Sequence, residues 1–348
     1  MTNPTITIAD RKIGFEQKPL VIAELGINHG GDLDVARAMV DIAADNGCEM
    51  VKHQTHVIED EMTDDAKLVI PGNTDKSIWE VMNSCKLSLD EEKQLMDYVH
   101  KKGMIYISTP FSRAAADWLH AQDVPAYKIG SGEMDNLPLI QHLCQFKKPL
   151  IISTGMHDLE SVRRTVAVVL ESGVPLALLH CNSIYPTPAN KSRLGVVAKY
   201  REEFPAVVAG YSDHAVGNLM CFGAVALGAA IVEKHFTDSL DRDGPDIVCS
   251  MDGPMLKELI HGSNELADAR IGEKVRLPEE EVTYKFARAS VCTIAAIKAG
   301  EKFTKQNLWV KRPGTGEIAA TEFDAILGKS CAQDIREGQL LRRSEVRD

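Results

Sequence analysis

From Val21 to about residue 270, short runs rich in Val, Ile, Leu and Ala alternate with longer amphipathic stretches in which apolar residues recur every three to four positions. Runs of the first kind read as parallel strands and the second as crossover helices. The strands predicted in order are 21–26, 49–55, 104–111, 126–132, 150–156, 176–181, 207–212 and 231–237. Each is followed by a plausible helix, and such a series closes into a barrel more naturally than it extends as an open sheet. Asp32 and Asp158 stand where N-caps of the helices 33–44 and 159–170 belong, and Gly173 with Pro175 marks a stop. One connection, 57–103, is oversized: 87–100 reads as its helix, while 58–71 is acidic and reads as irregular. Long loops of this kind usually cover a barrel's catalytic mouth.

The register changes after Ala269. A polar stretch with Gly272, Pro278 and Glu279–Glu281 reads as a linker, and 289–348 contains short β runs punctuated by glycines. The expected organisation is an α/β chain: a (β/α)8 TIM barrel over 1–270, a linker over 271–287 and a small β-rich domain over 288–348. A barrel occupies about 250 residues, so the 348 residues present accommodate this plan.

Composition narrows the functional classes. A net charge of −11 argues against nonspecific nucleic-acid binding, which needs a basic surface. No apolar run approaches the roughly 20 residues that span a bilayer, and the first residues lack a signal-peptide pattern, so a cytoplasmic protein is expected. Eight cysteines without a CxxC pair read as reduced, mostly buried thiols.

The predicted strand ends are unusually polar, and catalytic groups of barrels collect there. In order they carry Glu24; Lys52 and Gln54; Ser108 and Thr109; Lys128, Ser131 and Glu133; Ser153 and Thr154; His180, Asn182 and Ser183; Ser212, Asp213 and His214; and Glu233, Lys234 and His235. Alternation aligns Lys52 with Gln54 and Glu233 with His235. Lys128 and Ser131 differ in parity, which requires a bend near Gly130. His214 and His235 end adjacent strands, so either they share one divalent cation in an open site or each is a hydrogen-bonded structural residue; spacing does not choose. Lys52, Lys128, Ser131 and Ser153 could cradle a phosphate or carboxylate, the alternative being lysines paired with Glu24, Glu133 or Glu233. Glu24 and Glu133 are candidates for proton handling or for salt bridging.

As strings, IAELGINHGGD (22–32), VKHQTHVIEDEM (51–62), YKIGSGE (127–133), HCNSIYPTP (180–188), YSDHAVG (211–217) and EKHFT (233–237) resemble the sialic acid synthase family, and NLWVKRPGTGEI (307–318) resembles its antifreeze-like SAF domain. The resemblance implies a condensation of phosphoenolpyruvate with N-acetylmannosamine and a divalent metal, Mn2+ or Mg2+, on His214 and His235. It implies phosphoenolpyruvate contacts at Lys52, Gln54, Thr109, Lys128, Ser131, Ser153 and Tyr185, with Glu133 near the reacting carbons. Sugar contacts fall on Glu24, Asp246 and Phe286, and Arg312 would reach the sugar from the partner subunit of a domain-swapped homodimer. Ser183 stands where some relatives carry Asn, and Asn182 cannot replace it because strand faces alternate. The rival readings are an acceptor with two acetamido groups, giving a legionaminic or pseudaminic acid synthase, and a non-catalytic sugar-binding protein.

Overall fold

The computed structural model describes residues 3–70 and 75–348, so Pro71, the end of the acidic stretch singled out above, lies outside the described residues. The chain divides into two compact units, Met1–Gly272 and Glu273–Asp348.

The first unit begins with an antiparallel hairpin, β1 (Thr5–Ile8) and β2 (Arg11–Gly14), that the sequence reading did not anticipate. Eight parallel strands follow: β3 (Leu20–Glu24), β4 (Met50–Thr55), β5 (Ile105–Pro110), β6 (Tyr127–Ile129), β7 (Leu150–Ser153), β8 (Leu176–Cys181), β9 (Val208–Asp213) and β10 (Ile231–His235). They close into a barrel in which β10 returns to pair with β3. The expected fold class is therefore the observed one.

Side chains pointing into the barrel change character along the strands. At the N-terminal end Leu20, Ile22, Met50, Ile107, Ile151, Leu179 and Ile231 pack together, and Ile6, Ile8 and Ile13 of the hairpin join this cluster and close that end. Burying such branched side chains contributes about 1.5–3 kcal/mol each, so the apolar end is rigid support for what lies above it. One pleat or two further on, the same inward faces carry Glu24, Lys52, Gln54, Thr109, Lys128, Ser153, Ser212, Glu233 and His235. Outward residues of the same strands, such as Val21, Val51, Tyr106 and Val232, pack against the helical layer instead.

Helix entries follow local chemistry. Asp32 caps the helix Leu33–Asp45 by accepting from the N–H groups of Asp34 and Val35, and Asp158 caps Leu159–Glu171 by accepting from Ser161. At Gly173 φ is +71°, where a left-handed residue ends that helix. Gly130 is extended and leads from β6 into a 3-10 turn over Ser131–Glu133, which is the bend that the parity of Lys128 and Ser131 demands.

The long connection after β4 is more regular than its composition suggests. It forms a short helix Ile58–Glu61, a 3-10 turn Asp64–Leu68 and a helix Ile78–Cys85 entered through a Ser77/Glu80 capping box, before the barrel helix Leu89–Lys101. Its anchor is Asp60, whose carboxylate accepts from the N–H of Ala114 in the first turn of the helix Arg113–Ala121. No helix among the described residues is long and apolar enough to cross a membrane.

The second unit opens with a 3-10 turn Pro278–Glu280 and a helix Glu281–Ala287, where a polar linker was expected. It then pairs β11 (Ser290–Thr293) with β12 (Leu308–Lys311), and β13 (Ser330–Cys331) with β14 (Val346–Arg347). Val291, Ile297, Phe303, Leu308, Ile318, Ile326, Ile335 and Leu341 form its own core. All eight cysteines are free thiols, and seven of them are buried.

Candidate active site

A cavity of about 940 Å³ opens at the C-terminal end of the barrel. Register alone brings its principal groups together, since Glu24 pairs with Lys52 on one side and with His235 on the other. Lys52 Nζ lies 2.6 Å from Glu24 Oε2 and donates to Thr109 Oγ1 at 3.0 Å. Gln54 Nε2 donates to Glu24 Oε1 at 2.9 Å, so the carboxylate is held from both sides. Across the cavity Lys128 Nζ donates to Ser153 Oγ at 2.7 Å and stands 3.6 Å from Glu233 Oε1. Both lysines therefore face the cavity and are also paired, the two roles that the sequence left as alternatives.

Their electrostatics differ. Burial opposes the ammonium of Lys52, yet Glu24 and Glu233 more than offset it and hold the group protonated. Burial dominates at Lys128, helped by the charge of Lys52, and brings its affinity for the proton below the ordinary lysine value. Burial also raises Asp246 above the usual carboxylate range. Two lysines meet three carboxylates here, so the positive field expected for an anionic substrate is largely offset within the site.

His214 and His235 stand side by side at the end of β9 and β10, with ring centroids 5.4 Å apart. His214 Nδ1 lies 2.8 Å from the carbonyl of Asn182, which fixes the ring and leaves Nε2 toward the cavity. Cys181 Sγ is 3.8 Å from that same Nδ1. Burial disfavours a charged ring at both positions, but Cys181 and the Asn182 carbonyl draw His214 up to about 9. Burial together with the His214 charge keeps His235 well below the ordinary imidazole range.

Without a metal His214 holds a proton that a bound cation would displace, and the site suits a divalent cation on three counts. His235 is held neutral and its Nδ1 is buried without a hydrogen-bond partner. Glu233 Oε2 is similarly buried and unpartnered. Asp246 Oδ2 approaches His235 Nδ1 to 3.7 Å, and the excess of carboxylates over lysines is what a dication would balance. No cluster of three or more His, Cys, Asp or Glu in ligating geometry occurs among the described residues, so two imidazoles with substrate or water oxygens are the donor set on offer.

Around these groups Ser131, Ser183, Tyr185, Asp246 and the lid residues Ile78, Val81 and Met82 complete the wall. Tyr185 lies over His214 at a centroid distance of 4.0 Å. Asn182 Nδ2 donates to the Ser192 carbonyl, so this side chain is directed away from the cavity that Ser183 lines. Glu133 follows the wall residues Ser131 and Gly132, and its carboxylate accepts from Asn136 Nδ2 at the start of the next helix. Phe286 and Arg312 belong to the second unit, where both are exposed. Glu233 lines the wall as its parity with His235 indicated, whereas Phe111, Met156 and Cys181 line it without having been singled out in the sequence.

A closed parallel barrel with lysines, hydroxyls and paired imidazoles gathered in a cavity at its C-terminal mouth has the architecture of an enzyme active site. Residues 39–276 match the NeuB family and residues 288–347 the SAF domain, and the chain belongs to the NeuB family. It is 34% identical to an N,N'-diacetyllegionaminic acid synthase of Campylobacter jejuni, over 94% of this chain and 99% of that protein. It is 30% identical to the mouse N-acetylneuraminate-9-phosphate synthase over 97% and 95% of the two chains. Among solved structures, the N-acetylneuraminic acid synthetase of Leptospira borgpetersenii, in complex with citrate, superposes with a TM-score of 0.74 at 26% identity, covering 81% of this chain and 96% of that one.

Proposed function

We propose that the barrel condenses phosphoenolpyruvate with the open-chain aldehyde of an N-acetylated hexosamine. C3 of phosphoenolpyruvate forms the new bond to the aldehyde carbon, water adds at C2, and C–O cleavage releases inorganic phosphate to leave a nonulosonic acid. The observation that carries this reading is one cavity holding Lys52 with Thr109 and Lys128 with Ser153 opposite the His214–His235 pair. Lysine and hydroxyl donors suit the carboxylate and phosphate of phosphoenolpyruvate. His214 and His235 would hold Mn2+ or Mg2+, and a bound dication supplies Lewis acidity at the aldehyde oxygen. Glu24, oriented by Lys52 and Gln54, is positioned to hold or deliver a proton at the developing hydroxyl.

N-acetylmannosamine is the acceptor suggested by the motifs. A second reading, a hexose with two acetamido groups, is favoured by the apolar strip of Ile78, Val81 and Met82, which suits additional acetyl methyls, and by the similarity to the legionaminic acid synthase. In either case we propose a cytoplasmic homodimer in which Arg312 of one subunit contacts the sugar held by the other. Mixing an Arg312→Ala chain with a Lys128→Met chain should restore activity to the heterodimer; no restoration would exclude the trans role.

The deciding experiment measures phosphate release with phosphoenolpyruvate, Mn2+ and each acceptor in turn, with the product identified by mass. Release with a diacetamido sugar but not N-acetylmannosamine selects the second reading. No release with any N-acetylated hexosamine, with or without metal, removes the proposal.

A further inference from the structure

Beside the reaction cavity the barrel carries a second cavity of about 560 Å³. The two share Met156, Cys181 and Ser183 in their walls, so a single layer of side chains separates them. The rim of the second is formed by Lys191, Arg193 and Lys199, all exposed. None of these three makes a side-chain hydrogen bond or an ion pair among the described residues. Elsewhere on this unit some exposed cations are paired, as Lys148 is with Asp123, Arg163 with Glu203 and Arg242 with Asp238, and those that are not, such as Lys12, Lys101, Arg113 and Lys257, do not border this cavity. What distinguishes these three, in a chain of net charge −11, is that they gather around one concavity.

The rest of the wall offsets those charges only in part, with one carboxylate against three cations. Its one carboxylate, Asp158, is engaged as a helix cap by the N–H of Ser161. His157 Nε2 donates to the Ser131 carbonyl, and His180 Nε2 and Asn182 Nδ2 both donate to the Ser192 carbonyl, so these polar groups brace the wall and leave the interior to the cations. The helix Gly195–Glu203 contributes Val196 to the wall, and the N–H groups of Val196 and Val197 donate to the carbonyls of Arg193 and Leu194, so the cations are the groups left to meet a ligand.

We propose that this side cavity is a binding site for a phosphate-class oxyanion, distinct from the reaction cavity and in contact with it through Ser183. Two sources share that chemistry: inorganic phosphate released in the adjoining cavity, or a phosphorylated metabolite arriving from solvent. The site itself requires neither reaction to be as proposed above.

The test uses the full chain and inorganic phosphate or selenate as probes. Crystals soaked in selenate should show an anomalous peak bounded by Lys191, Arg193 and Lys199, and calorimetry with phosphate should show that the variant Arg193→Met/Lys199→Met loses one binding event or binds there about tenfold more weakly. That loss should shrink as ionic strength rises. A wild-type map without that peak, or superimposable isotherms for the two proteins, overturns the proposal. Neither measurement needs turnover, so a failure of the synthase reading would be seen separately. Where turnover is present, phosphate inhibition that weakens in the variant by the same factor identifies the released product as the occupant; unchanged inhibition with lost binding identifies a ligand from outside. Both outcomes uphold the site.

Discussion

Lys234 and Asp213 are register partners on β10 and β9, and their charged ends meet at 2.7 Å on the outer face of the barrel with neither side chain reaching solvent. Each sits one residue from an imidazole of the candidate site, Lys234 before His235 and Asp213 before His214. Lys234 Nζ also donates to the carbonyl of Ala215, and Asp213 accepts from the N–H of Ala215 and the hydroxyl of Tyr211. The pair thus fixes the spacing of the two strands behind the histidines. Removing one partner leaves a buried, uncompensated charge, which costs about 3–5 kcal/mol. Lys234→Met should therefore destabilise the barrel by that amount in urea unfolding, and adding Asp213→Asn should recover part of it. If Lys234→Met unfolds at the wild-type midpoint, the pair does not hold the strands.

Most of this arrangement was legible in the sequence because strand periodicity is strict. Eight apolar runs with polar ends place Lys52, Lys128, His214 and His235 on one rim before any coordinates are known. The misses have physical causes. The hairpin of β1 and β2 has strands of only four residues each, too short for alternation to stand out. The helix Ile78–Cys85 lies within a segment whose acidic beginning masked it.

The proposed phosphoenolpyruvate contacts of Ser131 and Ser183 can be tested through Gly155. Its N–H donates to Ser131 Oγ at 2.9 Å, and a Cβ added there would meet Ser183 Oγ at 2.3 Å and Ser131 Oγ at 2.8 Å. Both hydroxyls must turn away, and Ser131 Cβ at 3.2 Å must give slightly as well, so Gly155→Ala should cost about 1–3 kcal/mol of stability and still fold. The displaced hydroxyls should raise KM for phosphoenolpyruvate about tenfold with a smaller change in kcat. An unchanged KM would show that Ser131 and Ser183 do not contact this substrate.

The imidazole pair makes a separate prediction about metal. His235→Ala or His214→Ala should weaken Mn2+ binding by at least about a hundredfold, measured by the paramagnetic resonance of free Mn2+, because each removes one of only two fixed nitrogen donors. Circular dichroism and unfolding midpoints should stay near wild type, since both rings lie at the cavity surface. Chelator treatment of the wild type should abolish condensation and added Mn2+ should restore it. Wild-type Mn2+ affinity in either variant would return the histidines to a structural role.

His29 makes stability depend on pH in a direction that can be worked out. Its Nδ1 accepts from the N–H of Gly31, so its Nε2 carries the proton and donates to His53 Nε2, 3.1 Å away. That leaves His53 Nδ1 protonated and facing the buried carboxylate of Glu92 at 3.2 Å. Burial, with the nearby His53, lowers His29 from 6.5 to about 3. The folded chain therefore refuses a proton that the unfolded chain accepts once the pH falls below about 6.5. The stability contributed by a neutral His29 is complete above that value and is lost as the pH falls toward 3, at up to about 1.4 kcal/mol per pH unit. His29→Gln cannot take up that proton, so it should be less stable than wild type at pH 7 yet lose less on acidification. Urea midpoints at pH 7, 6, 5 and 4 measure the difference in slope, and parallel slopes for the two proteins would mean that His29 is free to protonate in the folded state.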